Sequence, residues 1–417
     1  MKTFKRVVVT GLGAVTPIGN TVAEFRDALF AGVSGAAPIT RFDATRFKTR
    51  FACEVKNFAP ETVIDKKELR RLDLFTQFAI YACAEAIADS GLSLDTIDKD
   101  RVGVILGAGI GGLATLEKEI IDFARGDGTP RHNPFLIPKM IIDIAPGLIS
   151  IKYGFRGPNY STVSACASAT NALNDAFNYI RLGKANVIVS GGSEAAITTT
   201  GVGGFNSMKA MSERNDDYTT ASRPFDKDRD GFVLGEGGGI LILEEYEHAI
   251  ARGAKIYCEV MGGGMTADAY HMTAPHPEGL GIKRVMELAL EDAEMQPHEI
   301  DYINVHGTST PLGDVGELSC IQSVFGEAAY KLNISSTKSM TGHLLGGAGA
   351  IEAIATILAM QHNTVPPTIN HFTDDPEIDP QLNLTFNVAQ KRPINAAISN
   401  TFGFGGHNAA LIVKKYQ

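Results

Sequence analysis

The stretch CASATNALNDAFNYIRLGKANVIV, residues 166–189, decides the fold. It opens on a cysteine, continues through small residues that let a helix be packed closely on all sides, and returns through Leu-Gly-Lys to a Val-rich strand. The plan recurs in HLLGGAGAIEAIATILAMQHNTVPP, residues 343–367, which opens on a histidine. Two such segments predict a duplicated α/β unit, with helices buried between sheets and Cys166 and His343 at corresponding helix starts. Working outward, glycines collect where short Val/Ile runs end, in RVVVTGLGAVTPIGN (6–20), RVGVILGAGIGGL (101–113), YINVHGTSTPLGD (302–314) and AAISNTFGFGGHN (396–408). These runs alternate with amphipathic segments such as DLFTQFAIYACAEAIADSG (73–91), the pattern of buried sheets covered by helices. The division falls near ARGAKIYCEV (251–260), giving halves 1–254 and 255–417. No Pro/Ser linker marks it, so the halves are expected to share one core.

Composition narrows the function. The 417 residues carry 38 Lys and Arg against 47 Asp and Glu, a net charge of −9 that argues against a general nucleic-acid or anionic-membrane binder. No window reaches the roughly 18 apolar residues of a membrane span. The opening MKTFKRVVVTGLG runs from a short basic stretch straight into a strand without a signal core, so a cytoplasmic protein is expected. Five cysteines, at 53, 83, 166, 258 and 320, include no CxxC pair and suggest neither disulfides nor zinc. The early GLG offers half of a dinucleotide fingerprint, but its third glycine is misplaced and no acidic residue ends a second strand where a ribose contact needs it.

Cys83, Cys258 and Cys320 read as packing residues, the usual fate of a free cysteine. Cys166 follows the β-like YSTVSA and precedes a helix, an arrangement that exposes a nucleophile at the head of a sheet. The helix N-terminus would lower its thiol pKa from about 8.5. His306 follows a strand in NVHGTSTPLGD, and His343 lies in SSTKSMTGHLLGGAGAIE five residues after Lys338. Neither histidine has a partner at metal-ligand spacing, and a Cys, His, His set suits acyl transfer.

At these residues the chain resembles the β-ketoacyl-[acyl carrier protein] synthases of the elongating kind, most closely type II, among the thiolase-fold condensing enzymes. The likeness runs nearly end to end, through VVVTGLGAVTPIGNT, ASRPFDKDRDGFVLGEG, ADAYHMTAPH and FGFGGHN. The blocks HGTST, STKSMTGHLLG and GFGG, in that order after an ACAS cysteine, are specific. The resemblance implies a five-layered αβαβα sandwich and a homodimer. It implies that Cys166 carries an acyl chain received from a carrier-protein thioester, with the oxyanion held by the backbone N–H groups of Cys166 and Phe404. His306 and His343 would stabilise the charge that develops as malonyl thioester loses CO₂, supported by Lys338 and Glu352. Thr308 and Thr310 would bind the pantetheine arm, with Phe402 and Thr273 also lining the substrate path and Phe404 gating it. Ile110 matches a position that limits acyl depth at the dimer interface. Lys67, Arg70 and Arg71, spaced for one helical face, and Lys209 match carrier-docking positions. No redox or nucleotide cofactor is implied, although Asn304, Glu352, Ser399 and Asn400 match positions that hold a structural cation in some relatives.

Two residues depart from the pattern: His407 stands where relatives usually have Thr, and SACAS surrounds the cysteine. A thiolase would need a C-terminal catalytic cysteine beyond Cys320, and an initiating synthase would have asparagine in place of His343. A non-catalytic chain-length partner would lack Cys166. A cysteine hydrolase would need an acid or amide partner for its histidine, which the sequence does not reveal.

Overall fold

The computed structural model describes residues 4–416, so the first three residues of the basic opening stretch lie outside it. Ten strands form the main sheet: β1 (Val7–Val15), β2 (Val102–Gly107), β3 (Asn159–Thr162), β4 (Val187–Glu194), β5 (Gly237–Glu245), β6 (Cys258–Ala267), β7 (Tyr302–Asn304), β8 (Asn333–Ser335), β9 (Ala396–Gly403) and β10 (His407–Lys415). Their spatial order is β8-β7-β9-β10-β6-β1-β5-β4-β2-β3. Each half repeats one plan. In the first, β2 pairs in parallel with β3 and β4, and β5 lies antiparallel to β4 and β1. In the second, β7 pairs in parallel with β8 and β9, and β10 lies antiparallel to β9 and β6. The two first strands join the halves edge to edge through Val7 opposite Val260 and Val9 opposite Cys258.

Six helices build the layers: α1 (Leu74–Ser90), α2 (Leu113–Ala124), α3 (Ser168–Arg181), α4 (Leu280–Asp292), α5 (Pro311–Phe325) and α6 (Ala348–His362). Helix α1 matches the amphipathic segment read from sequence and stops at Gly91, whose φ of 62° is cheap only for glycine. It covers β1, β5 and β4 from outside, and α4 covers β6 and β10, with α5 packed against α4. Between the half-sheets lie α3 and α6, which touch each other and strands of both halves. The result is the expected αβαβα sandwich. In α3 the buried positions Ser168, Ala169, Thr170, Ala172 and Ala176 are small, and α6 is buried from Ala348 to Met360. Small residues are required because these helices are sandwiched at backbone distance: a Cβ at Gly349 would stand 2.1 Å from Thr170 Oγ1.

The glycines of the early GLG have a structural use. They lie inside β1, where a Cβ at Gly13 would come within 1.9 Å of the Ala82 carbonyl oxygen of α1. Gly13→Ala is therefore expected to destabilise the fold by about 1–3 kcal/mol through backbone displacement, readable as a lowered midpoint in chemical denaturation. An unchanged midpoint would show that α1 can retreat at no cost.

Candidate active site

Cys166 sits in a single helical turn, Ala165–Ala167, immediately before α3. The equivalent turn of the second half is Leu345–Gly347, before α6. Ala165 and Leu345 adopt left-handed φ of 50° and 47°, a costly conformation for residues with a Cβ. The duplicated geometry corrects the register read from sequence: the counterpart of Cys166 is Gly346, and His343 lies three residues upstream of it. Ser168 holds the nucleophile turn, its Oγ donating to the Ala165 carbonyl at 2.7 Å and accepting from the Ser164 N–H at 2.9 Å.

His343 is fixed by a bridge to the neighbouring segment, its N–H donating to the Val233 carbonyl at 2.7 Å and its carbonyl accepting from the Gly235 N–H at 2.9 Å. This sets His343 Nε2 3.0 Å from Cys166 Sγ. His306 follows β7, and its ring stands edge-on to His343 with centroids 5.3 Å apart. Phe232 packs on His343 and Phe402 on His306, enclosing both rings in aromatic surroundings. Lys338 Nζ pairs with Glu352 Oε1, and both side chains are buried. The Phe404 N–H faces Cys166 Sγ from the GFGG turn. That turn approaches because Gly403 lacks a Cβ, which would stand 3.0 Å from the Cys166 nitrogen.

Electrostatics differ from the sequence expectation at the nucleophile. Cys166 is 7% exposed, and burial pushes its thiol up to about 12; nearby Lys338 pulls the other way without compensating. Desolvation outweighs the helix N-terminus, so the resting group is a shielded neutral thiol. Burial, then the Lys338 charge, holds His306 and His343 well below the ordinary histidine range. Both rings are neutral at pH 7, and their Nδ1 atoms are buried without a partner among the described residues. No carboxylate orients either imidazole. Burial raises Glu352 to about 7 against the opposing pull of Lys338.

Three carboxylates that the sequence reading did not single out support this arrangement. Glu317 accepts the N–H groups of His306 and Gly307 at 2.9 and 2.8 Å, fixing that loop, and burial pushes it up to about 8. Asp314 accepts the Phe225 N–H at 3.0 Å and faces Arg229. Their signal was present as two acids one helical turn apart, directly after HGTSTP. Glu194 ends β4 and accepts backbone N–H groups of Gly109, Ile110, Gly111 and Gly346. An acid closing the apolar run VIVSGGSE was its signal.

The remaining expected residues are dispersed around this centre. Thr308 and Thr310 place their hydroxyl oxygens 3.1 Å apart. The segment bearing half-buried Thr273 touches the GFGG turn, where the Gly405 N–H donates to the Met272 carbonyl at 2.7 Å. Exposed His407 lies over Gly405. Lys67, Arg70, Arg71 and Lys209 are all exposed, but their helix is one turn long, Lys66–Leu69. The helix ends at Leu69, so Arg70 and Arg71 lie in the turn after it rather than on a helical face with Lys67, and Arg71 covers the Phe135 ring at 4.9 Å.

Asn304 stands opposite Ser399 in the β7–β9 ladder, next to Asn400. The side-chain polar atoms of Asn304, Ser399 and Asn400, with Glu352 Oε2, are buried without partners among the described residues. Neutral oxygens and one carboxylate fit a monovalent cation, and no cluster of three or more His, Cys, Asp or Glu suited to a metal occurs among the described residues.

A duplicated five-layered sandwich with a shielded cysteine against two neutral histidines defines a thiolase-fold ketosynthase. Residues 4–249 match the family model of the β-ketoacyl synthase N-terminal domain, and residues 257–372 match that of the C-terminal domain. The chain belongs to the β-ketoacyl synthase family. It is 52% identical over 418 residues to 3-oxoacyl-[acyl-carrier-protein] synthase 2 of Synechocystis, covering 99% of each chain, and 49% identical over 420 residues to the synthase 2 of Staphylococcus aureus, covering 100% of each. A β-ketoacyl synthase from Burkholderia phymatum superposes with TM-score 0.92 at 36% identity, over 99% of this chain and 100% of that one. A ketosynthase in complex with its type II PKS acyl-carrier protein superposes with TM-score 0.89 at 34% identity, over 99% of this chain and 100% of that one.

Because the resting thiol is neutral, alkylation of Cys166 by iodoacetamide should accelerate continuously with pH through pH 10. A plateau already present between pH 5 and 7, followed by mass spectrometry, would mean a thiolate–imidazolium pair instead.

Proposed function

We propose that this chain is a 3-oxoacyl-[acyl carrier protein] synthase that elongates acyl chains by two carbons through decarboxylative condensation with malonyl-carrier thioester. The observation that carries this reading is the 3.0 Å contact of Cys166 Sγ with His343 Nε2, with neutral His306 beside it. Cys166 Sγ attacks the acyl thioester, the tetrahedral oxyanion is held by the backbone N–H groups of Cys166 and Phe404, and its collapse breaks the carrier C–S bond, the departing carrier sulfur taking up the proton that Cys166 gives up. The malonyl thioester then replaces the first carrier. Its carboxylate leaves as CO₂, and the bonding electron pair passes into the enolate, whose oxygen accepts hydrogen bonds from Nε2–H of His306 and His343. Neutral imidazoles suit this work, since each donates a proton in a hydrogen bond without surrendering it. The carbanion attacks the acyl-Cys166 carbonyl, and the thiolate leaves and regains a proton. Burial holds both histidines neutral, and Lys338, paired with Glu352, reinforces it as the one buried ammonium among the described residues.

Thr308, Thr310 and Thr273 bind the pantetheine arm, Phe402 and Phe404 border the path to the nucleophile, and Ile110 limits acyl depth. No redox or nucleotide cofactor takes part. Asn304, Glu352, Ser399 and Asn400 would hold a structural cation, which would satisfy their unpartnered polar atoms. The nucleophile belongs to the half 1–254 and the histidines to the half 255–417. A homodimer accounts for the open edge of β3 and for the apolar side chains around it, Val163 at 58%, Ile151 at 78% and Ile137 at 58% exposure. Fatty-acid elongation is the primary role, and a standalone synthase of a polyketide or specialised lipid pathway would use the same chemistry. A non-catalytic chain-length partner does not account for Cys166, and a hydrolase does not account for two histidines without orienting acids.

Cys166→Ala should abolish both acylation and condensation while leaving the fold intact. His343→Ala should still become acylated, with CO₂ release from malonyl-carrier substrate slowed about 100-fold or more, as for a lost oxyanion donor. Intact-mass spectrometry and CO₂ assays separate the two steps; acylation of the alanine variant at position 166 would sink the assignment.

The partner is an acidic acyl carrier protein, which a chain of net charge −9 attracts only through local positive surface. Exposed Lys67, Arg70, Arg71 and Lys209 supply it. Reversing Lys67 and Arg71 to Glu should raise KM for carrier-bound substrate, with the defect shrinking at high salt, and leave turnover of coenzyme A thioesters nearly unchanged. Equal damage to both substrates would remove these residues from docking.

A further inference from the structure

Glu194 is fully buried at the end of β4, and burial raises its pKa. Its Oε2 accepts the Gly109 N–H at 2.7 Å and the Gly346 N–H at 3.2 Å. Its Oε1 accepts the Gly111 N–H at 3.0 Å, and both oxygens stand 3.2 Å from the Ile110 nitrogen. Three successive N–H groups converging on one carboxylate form an anion-binding nest, here occupied by a side chain of the same protein. The Gly109, Ile110 and Gly111 N–H groups have no other acceptor among the described residues, Ile110 is 39% exposed, and the chain turns through Gly111 with φ of 78°.

The loop also packs directly on the reactive turns. A Cβ at Gly346 would come within 2.1 Å of the Gly109 nitrogen, and one at Gly109 would stand 3.4 Å from the Ala165 carbonyl. Glu194 thus ties two pieces together, the loop after β2 and the turn following His343, and the loop in turn packs beside the turn bearing Cys166. We propose that Glu194 is a positioning residue that sets acyl-chain selectivity by locking the Gly109–Gly111 loop, and with it Ile110, against the Cys166 turn. The inference rests on the reading of Cys166 as the acyl carrier and Ile110 as the depth limit. Nothing else in the described structure accepts those loop N–H groups, so loss of the carboxylate frees Ile110 to swing away from the acyl path.

Two substitutions test it. Glu194→Gln keeps the size but sets an amide NH₂ among N–H donors. Gly109→Ala leaves the charge and inserts a methyl 2.9 Å from Glu194 Oε2, displacing the loop from the other side. Condensation with malonyl-carrier substrate is measured for hexanoyl and tetradecanoyl primers. One methylene of fit in an apolar pocket discriminates by roughly tenfold, so the long-to-short ratio of kcat/KM should rise about tenfold in either variant, whatever the change in absolute rate. A merely structural carboxylate would lower both primers in parallel, and that result, or an unchanged ratio, overturns the proposal. If Glu194→Gln fails to fold, Gly109→Ala decides alone. A parent enzyme unable to condense any primer would instead overturn the functional reading and the proposal with it.

Discussion

The structure depends on one constraint: α3 and α6 must share a single layer between the two half-sheets. Each helix starts beside a reactive turn, so packing them together is what brings Cys166 from one half to His343 from the other. Where the two helices meet, small residues such as Gly349 and Thr170 allow close approach, and the layer is pinned by polar contacts such as the Thr401 hydroxyl donating to Thr170 at 2.8 Å. Larger side chains on either helix would separate the half-sheets and open the 3.0 Å contact between sulfur and imidazole.

Burial then sets the chemistry. A thiol, two imidazoles and a Lys–Glu pair occupy one desolvated region, and desolvation disfavours charge on each isolated group. Lys338 pairs with Glu352, and its proximity reinforces the neutrality that burial imposes on both histidines. Neutral donors aimed at a developing oxyanion need no reorganisation when charge appears, which is the advantage of a shielded site over a solvated one. The same shielding keeps the thiol inert until a thioester displaces what surrounds it.

Backbone amides carry much of the remaining order. Glu317 gathers the loop bearing His306, and Glu194 gathers the loop bearing Ile110 together with the turn after His343. In both cases a buried carboxylate replaces regular hydrogen bonding where the chain leaves a strand, so irregular backbone is held as firmly as the sheet.

The α/β alternation, the duplication and the candidacy of Cys166, His306 and His343 were legible in the amino-acid sequence, because each depends on local pattern: Val-rich runs, small-residue helices, glycine-bordered reactive residues; Lys338 and Glu352 entered only through the family resemblance. Two features misled. The echo seemed to align His343 with Cys166, yet backbone conformation aligns Gly346, since left-handed Ala165 and Leu345 mark the turns and side-chain type does not. The basic run at residues 66–71 has helical spacing, but its helix ends at Leu69 and the chain turns before the next helix, which Asp73 caps. The protonation of the site and the roles of Glu194, Asp314 and Glu317 were decided by tertiary structure alone. A pKa reports how much solvent is lost and which charges approach from distant parts of the chain, and a carboxylate's partners here lie up to 152 residues away.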